Sequence, residues 1–403
     1  MDLDKVKSYY ISYNLYSFSS GLVGVFMNLF LLATVSLAGV IEFNILYFTG
    51  LALAMFGCAY TLPRINPKEL YIAGALIRAV TLIFLIAAAG LVSNILVFGL
   101  LYGVSIGTFW LGNNILTSDI SKNIDRREFI YRNNLISSIV SLAAPTLAGI
   151  MIEYSQFSGP LRFIYDFLAA FIFLLASAYV LYSTKLPQPS RPIKFSLKDL
   201  RIKHNEYKNY KQYFFLSQLF YMPFSILLPI YIFEITKSYT IAGIYASSLL
   251  FVAVFANYIT KVSNRNWSAT AKVLVAAFIV SSLLLLDHSL VSPVFAIFSF
   301  ALIYTISSTP LNIQALSNFL EVIDRGSKDR IHFWLNREFY IYTGRLSSLV
   351  IILAFLLFFP EYSMYILYAF PIIALYSITY LKVSKRAEVK QVNVLHDIPN
   401  AIR

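Results

Sequence analysis

Arg345 stands twelve residues inside an apolar run that covers 333–358. At 1.5 Å per helical residue it lies ~18 Å from the nearer end of that run, too deep for its stem to carry the charge back to water. An ionisable side chain at such depth is expensive in hydrocarbon and needs a polar cavity. A guanidinium there either binds a carboxylate or phosphate through two parallel hydrogen bonds or pairs with a carbonyl or carboxylate of its own chain. Glu338 lies seven residues earlier on the same helical stripe. It either closes a gate, with Arg337 or with basic residues of another loop, or caps the start of its helix, where a carboxylate suits the dipole. Arg78, about eight residues into the run 70–90, is shallow enough for its stem to reach the interface.

Other chemistries are excluded by what these residues lack. Cys58 is the only cysteine, so disulfides and thiolate metal sites are out. His204, His288, His332 and His396 share no metal-ligand spacing, and nothing resembles a phosphate loop. No nucleophile–base pair is visible, so neither an enzyme nor a resident cofactor or metal is expected. Asp166, Glu234 and Asp287 lie within about two turns of the far ends of their runs. They suit a proton carrier and an ordinary interfacial acid equally well, which leaves protons or another ion open as a coupling partner.

The elements that position these groups follow from composition. Of 403 residues 58% are hydrophobic and 13% charged, against about a quarter charged in a soluble chain. Apolar runs of about twenty residues, the length that crosses a bilayer, alternate with short polar loops. The chain reads as an all-α polytopic membrane protein with twelve spans. The first six lie near 9–34, 42–61, 70–90, 94–117, 129–152 and 162–183. The second six lie near 212–235, 240–260, 270–287, 291–316, 333–358 and 362–382. A signal peptide is not expected, because the first run is too long and more follow it.

The second half resembles the first at a constant offset of 204 residues. Ser36 to Val40 answers to Thr240 to Ile244, Asn114 to Asn318, Asp125-Arg126 to Asp329-Arg330 and Phe129 to Phe333. A duplicated bundle is the economical reading, and parallel repeats in membrane proteins enclose a solute path. The expected division is two pseudo-symmetric six-helix bundles at 1–184 and 212–383, a linker at 185–211 and a tail at 384–403. Within the linker, Phe195 to Tyr210 reads either as a plain tether or as a short amphipathic helix on the membrane surface.

Twenty-eight of 32 Lys and Arg fall on the side of the amino terminus and two, Arg162 and Lys237, on the other. That asymmetry puts both termini in the cytoplasm of a plasma-membrane protein. It also accounts for the net charge of +12, which suits an anionic leaflet of the bilayer. The basic residues are scattered among short loops, so nucleic acid is not an expected partner. Asp119, Arg126 and Arg132 flank one end of the fourth and fifth spans, and Asp329, Arg330, Arg337 and Glu338 flank the matching place in the repeat. Charges at symmetry-related loops either gate that face together or are simply solvated; singly, exposed pairs contribute only ~0–1 kcal/mol.

Twelve spans, a six-plus-six repeat and a basic central loop resemble the major facilitator superfamily of secondary transporters. Trp110-Leu-Gly-Asn-Asn114-Ile-Leu-Thr-Ser-Asp119, followed by Arg126-Arg127-Glu-Phe129, is similar to a poorly characterised prokaryotic branch of it, as is Arg337-Glu338 to Gly344-Arg345. Two wider motifs are degraded. In the loop after the second span Gly57 is followed by Thr61 where the family has aspartate, and Ala144-Pro145-Thr-Leu-Ala148-Gly149 lacks the first glycine of the exporter signature.

The resemblance implies a path lined by the first, fourth, seventh and tenth spans. With Arg345, taken from its depth in the eleventh span, the expected substrate contacts on that path are Trp110, Asn113, Asn114, Asn14, Gln218, Tyr221, Tyr304 and Gln314. The expected function is secondary active or facilitative transport of a small neutral, anionic or amphipathic organic solute, by alternating access, in a monomer. The alternative is a sensor or assembly partner that keeps the fold and moves nothing.

Overall fold

The computed structural model describes residues 3–62, 64–87, 92–120, 126–184, 205–262, 267–285, 292–326 and 330–359, with Ile366, Ala369 and Ile378. The chain begins with α1 (Leu3–Leu32), α2 (Leu37–Thr61), α3 (Pro67–Ala87) and α4 (Val92–Ile120). Next come α5 (Arg126–Ser141), α6 (Ala144–Glu153) and α7 (Ile164–Ser183). A second set holds α8 (Asn205–Thr236), α9 (Tyr239–Val262), α10 (Trp267–Ser282), α11 (Pro293–Gly326) and α12 (Arg330–Phe358). Among the described residues, nine helical stretches are long and apolar enough to cross a membrane. Apart from Ile366, Ala369 and Ile378, the expected span 362–382 lies outside the described residues, as do the tail 384–403 and 185–204 of the linker. Residues 205–211, expected in the linker, are instead the first two turns of α8.

The surface is that of a protein built for hydrocarbon. Val273, Val280, Ile351 and Leu357 are each more than 60% exposed, while Arg78, Asp166 and Glu338 are buried. With the solvent itself apolar, helices gain little by hiding leucine from it, and small residues must bring them together. Gly50, Gly103 and Gly107 do so between α2 and α4. A Cβ on them would lie 2.3 Å from the Leu100 carbonyl oxygen, 1.9 Å from that of Tyr47 and 2.3 Å from that of Leu51. Gly74 and Gly112 bring α3 onto α4 in the same way.

The fifth expected span is not continuous. It breaks at Leu142–Ala143, between α5 and α6, where Pro145 occupies the first turn of α6 and cannot donate to the preceding helix. Its repeat, α12, begins at Arg330, 204 residues after Arg126, and runs unbroken to Phe358. The two sets of helices meet chiefly where α6 and α5 pack on α9 and where α2 packs on α12. The α6–α9 crossing is held by backbone: a Cβ on Gly243 would meet the Pro145 carbonyl oxygen at 2.3 Å, and one on Gly149 that of Tyr239 at 2.6 Å. Beside it the Thr146 hydroxyl lies 2.8 Å from that of Ser247. At the far end Glu153 accepts from the Thr240 N–H (3.0 Å) and the Ser238 hydroxyl (3.1 Å). A carboxylate of α6 thus caps α9, where the free N–H groups and the helix dipole favour negative charge.

These close approaches make a stability prediction. Gly103→Ala should destabilise the protein by about 1–3 kcal/mol, the usual penalty for overpacking. Gly57→Ala, where a new Cβ meets nothing within 4 Å, should leave the thermal midpoint in detergent unchanged or raise it. Equal midpoints for the two variants would contradict the packing described.

Candidate functional site

Two cavities follow one another along the axis of the bundle. The proximal chamber, nearer the face that carries the amino terminus, has a volume of about 310 Å³. The distal chamber has about 430 Å³. Leu51 of α2, Trp110 of α4 and Arg345 of α12 line both and form the partition between them. On α4 the order is regular: Tyr102 and Ile106 face the distal chamber, Trp110 the partition, and Asn113, Asn114 and Thr117 the proximal chamber. Three- and four-residue spacing keeps one stripe of the helix on the axis throughout.

Arg345 is half-buried. Its Nε donates to Gln218 Oε1 (2.8 Å), and its guanidinium lies 4.9 Å from the Phe48 ring centroid and 5.8 Å from that of Tyr342. That one hydrogen bond leaves its terminal nitrogens without a bonded acceptor among the described residues. Gly344 makes the arrangement possible: a Cβ there would come 2.4 Å from the Phe215 carbonyl oxygen, so α12 and α8 touch beside Gln218.

Arg78 does not reach the interface as its position in the sequence suggested. It is 4% exposed and points inward from α3 to the wall of the distal chamber. Its two terminal nitrogens donate to the Ser20 hydroxyl (2.8 Å) and to the Tyr102 hydroxyl (3.0 Å). The rings of Tyr16 and Tyr102 lie 5.0 and 5.4 Å from the guanidinium carbon. Magnitudes show how the charge is tolerated. Insertion scales put an arginine at mid-bilayer at about 2.5–3.5 kcal/mol. Each hydrogen bond from a charged donor returns about 1.5–3 kcal/mol, and a desolvated aromatic face about 2 kcal/mol. Arg78 is thus largely satisfied by neutral partners, whereas Arg345 keeps unused donors.

A row of rings joins the two cations. Tyr102 lies 5.5 Å from Tyr47, Tyr47 lies 4.4 Å from Phe48, and Phe48 carries Arg345. Asn28 and Asn44, joined by a 3.0 Å hydrogen bond, complete the polar wall. No aspartate or glutamate is among the described residues that line the distal chamber, so its two guanidiniums face no counter-charge among them. The proximal chamber differs. Glu338, 7% exposed, pairs with Arg337 at 2.6 Å. Asn133 Oδ1, Trp334 Nε1 and Arg337 Nε are buried there without a hydrogen-bond partner among the described residues. Polar atoms left so cost about 1–3 kcal/mol each, which a polar solute or water in the chamber offsets.

The expected contacts divide. Trp110, Asn113, Asn114, Tyr221 and Arg345 line the chambers, and Gln218 holds Arg345. Asn113 also accepts from the buried Tyr9 hydroxyl (2.9 Å). Three others lie elsewhere. Asn14 faces a lateral groove between α1 and α5 and bonds the Tyr10 carbonyl. Tyr304 is packed among Phe220, Phe224, Phe278 and Phe300, and Gln314 lines neither chamber. A helix named as path-lining presents only one stripe to the path, and sequence alone did not fix which.

The wall supplied by α2 and α3 was not anticipated. Its sequence signal was present in Asn44 and Arg78, two polar residues in the interior of apolar runs. The expected gate at the amino-terminal face is only partly described. The ion pairs seen there stay within one helix, Arg132 with Glu128 (2.7 Å) and Arg337 with Glu338. Asp119 is exposed, while Asp329 and the side chains of Arg126 and Arg330 lie outside the described residues. Of the expected acids, Glu234 pairs with Lys237. Asp166 is wholly buried with neither oxygen bonded among the described residues, and Asp287 lies outside them.

The electrostatics can be read optically. Of three tryptophans, Trp110 and Trp334 line the proximal chamber, and Trp267 opens α10. In a Trp267→Phe background, iodide should quench the remaining emission more steeply than caesium, and Arg345→Met should remove that difference. Equal quenching by the two ions would contradict a cationic chamber.

Comparison with known proteins agrees with this architecture. The family described as Major Facilitator Superfamily matches residues 9–327. A Major Facilitator Superfamily transporter, FucP, solved in the outward conformation, superposes with a TM-score of 0.64 at 13% identity, covering 94% of this chain and 97% of that one. A bacterial homologue of the iron transporter ferroportin superposes in its inward-facing state with a TM-score of 0.71 at 12% identity, covering 95% and 99%. Its outward-facing state gives 0.64 at 13% identity, covering 94% and 99%. No curated protein matches the sequence. A family match over most of the chain, on a bundle of apolar helices around an axial pair of chambers, places the protein: it belongs to the Major Facilitator Superfamily of membrane transporters.

Proposed function

We propose that this chain moves a small organic anion, a carboxylate or an organic phosphate, across the plasma membrane by alternating access. The observation that carries this reading is the distal chamber, where Arg78 and Arg345 line one cavity with no acidic residue among its described lining residues. In a cavity that excludes bulk water, two cations without a counter-charge favour an anion over a neutral or cationic solute. Arg345 supplies the bidentate contact, because its terminal nitrogens are unused and it borders both chambers. A solute bound to it meets the proximal side through Trp110 and Asn113 and the distal side through Tyr47 and Tyr221.

In this reading 1–184 and 212–383 rock about the partition, with both termini in the cytoplasm as the asymmetry of Lys and Arg supports. Each monomer holds one path. The α6–α9 contact, tied by Glu153, holds the distal face closed. The higher TM-score against the inward-facing state of the ferroportin homologue supports the same arrangement. Asp166, buried and unbonded among the described residues, is the acid suited to carry a coupling proton.

Two measurements test the proposal. In liposomes, counterflow of labelled carboxylates and organic phosphates should identify a substrate. Arg345→Met should weaken its affinity about 10- to 150-fold, the loss of 1.5–3 kcal/mol from a charged hydrogen bond, with Arg345→Lys in between. Full transport of every substrate by Arg345→Met would refute the site, and binding without flux would favour a sensor. In a Cys58→Ser background, Glu153→Ala should speed the reaction of a cysteine placed at Ser247 with an impermeant maleimide added at the distal face. An unchanged rate would remove Glu153 as a latch.

A further inference from the structure

A further cavity lies off the axis of the bundle. A groove of about 920 Å³ runs along the side of the bundle between α1 and α5, with Phe173 of α7 at its floor. Its length on α1, from Val6 to Phe18, is ~18 Å at 1.5 Å per residue, a little more than one leaflet of a ~30 Å hydrocarbon core. The walls are apolar, and Ile11, Ile136 and Val140 stand open to the side. Charge is confined to the end at the amino-terminal face, where Lys7 and Arg132 accompany Glu128, an excess of one positive charge. A chain of methylenes below and an anionic head above match this distribution.

The groove and the proximal chamber share one wall residue, Phe129, which is 3% exposed and lies on α5 with its ring 5.5 Å from that of Tyr10. Tyr13 faces the chamber on one flank of α1, and Tyr10 and Asn14 face the groove on the other. Phe129 is therefore the one described residue that borders both the groove and the polar cavity. The break at Leu142–Ala143 adds the means of moving it. Because α6 is fixed to α9 by Gly149, Gly243 and Glu153, α5 can tilt at the break without disturbing that contact.

We propose that the α1–α5 groove is a lateral entry site for single-chain amphipathic anions. The acyl tail lies in the groove while the anionic head passes Phe129 into the proximal chamber toward Arg345. This rests on the reading of the chambers as an anion path and narrows its substrate class. The head leaves the interface beside Lys7 and Arg132, and the tail stays in an apolar setting throughout, so entry does not require the chain to cross water.

The test uses the full-length protein in liposomes and lysophosphatidic acid with a photoreactive diazirine in its acyl chain. Adducts should map to α1 and α5 around Ile11, Leu15 and Val140, and should be competed by lysophosphatidic acid at least fivefold better than by lysophosphatidylcholine. Filling the groove with Ile11→Trp or Val140→Trp should lower uptake of lysophosphatidic acid, relative to glycerol phosphate, by fivefold or more. Phe129→Ala should raise that ratio. Adducts spread evenly over the lipid-facing surface, equal competition by the two lysolipids, or a ratio unmoved by all three variants would each overturn the proposal. The two readings fail separately: an unmoved ratio with loss of both fluxes in Arg345→Met discards the groove and keeps the anion path. Flux of both solutes unaffected by Arg345→Met discards the anion path itself.

Discussion

Helices immersed in hydrocarbon cannot be held together by expelling water, so their association depends on how closely their backbones approach. In this protein that constraint is met by a few glycines. Gly50, Gly103 and Gly107 let α2 and α4 touch along three successive turns, and Gly74 and Gly112 do the same for α3 and α4. The consequence reaches well beyond packing. With α2 pressed against α4, Tyr47 and Tyr102 become ring neighbours, and with α3 pressed against α4, Arg78 falls within reach of the Tyr102 hydroxyl. The polar wall of the distal chamber thus depends on the glycine contacts between the helices that carry it.

The second consequence concerns charge. A buried guanidinium is usually retained by pairing it with a carboxylate, which removes the field it projects into its surroundings. Here hydroxyls and aromatic faces do that work for Arg78, and an amide and a ring do it for Arg345. Neutral partners stabilise the cation without cancelling it. The positive potential of the distal chamber is therefore not offset by any carboxylate among its described lining residues. In the proximal chamber the Glu338–Arg337 pair removes most of the net charge. A gradient of potential along the axis results, strongest at and beyond the partition.

Duplication explains the frame, and departures from duplication mark where it works. The helices that begin at Arg126 and Arg330 occupy equivalent places, yet only the first is broken, next to Pro145. Beyond the break, α6 is locked to α9 through backbone contacts and the Glu153 cap. Before it, α5 borders both the lateral groove and the axial chamber. One span is thereby divided into two helices at Leu142–Ala143, whereas its counterpart runs unbroken.

The sequence by itself determined the solvent and the scaffold. Apolar runs of bilayer length, the lopsided distribution of Lys and Arg and the 204-residue repeat are properties of composition and order. They needed no knowledge of which helix touches which. It also determined that Arg345 lies too deep to escape to water, because depth along a helix is simply residue count. Azimuth is another matter. Whether Asn14 or Tyr13 faces the axis depends on the rotation of α1, which is set by contacts with α5 and α7 that no local pattern encodes. The same holds for Arg78, whose inward turn follows from glycine packing of α3 on α4, and for Tyr304, drawn into a cluster of phenylalanines. Only the tertiary structure decided those rotations, because neighbours far apart in the chain fix them through close-packed contact.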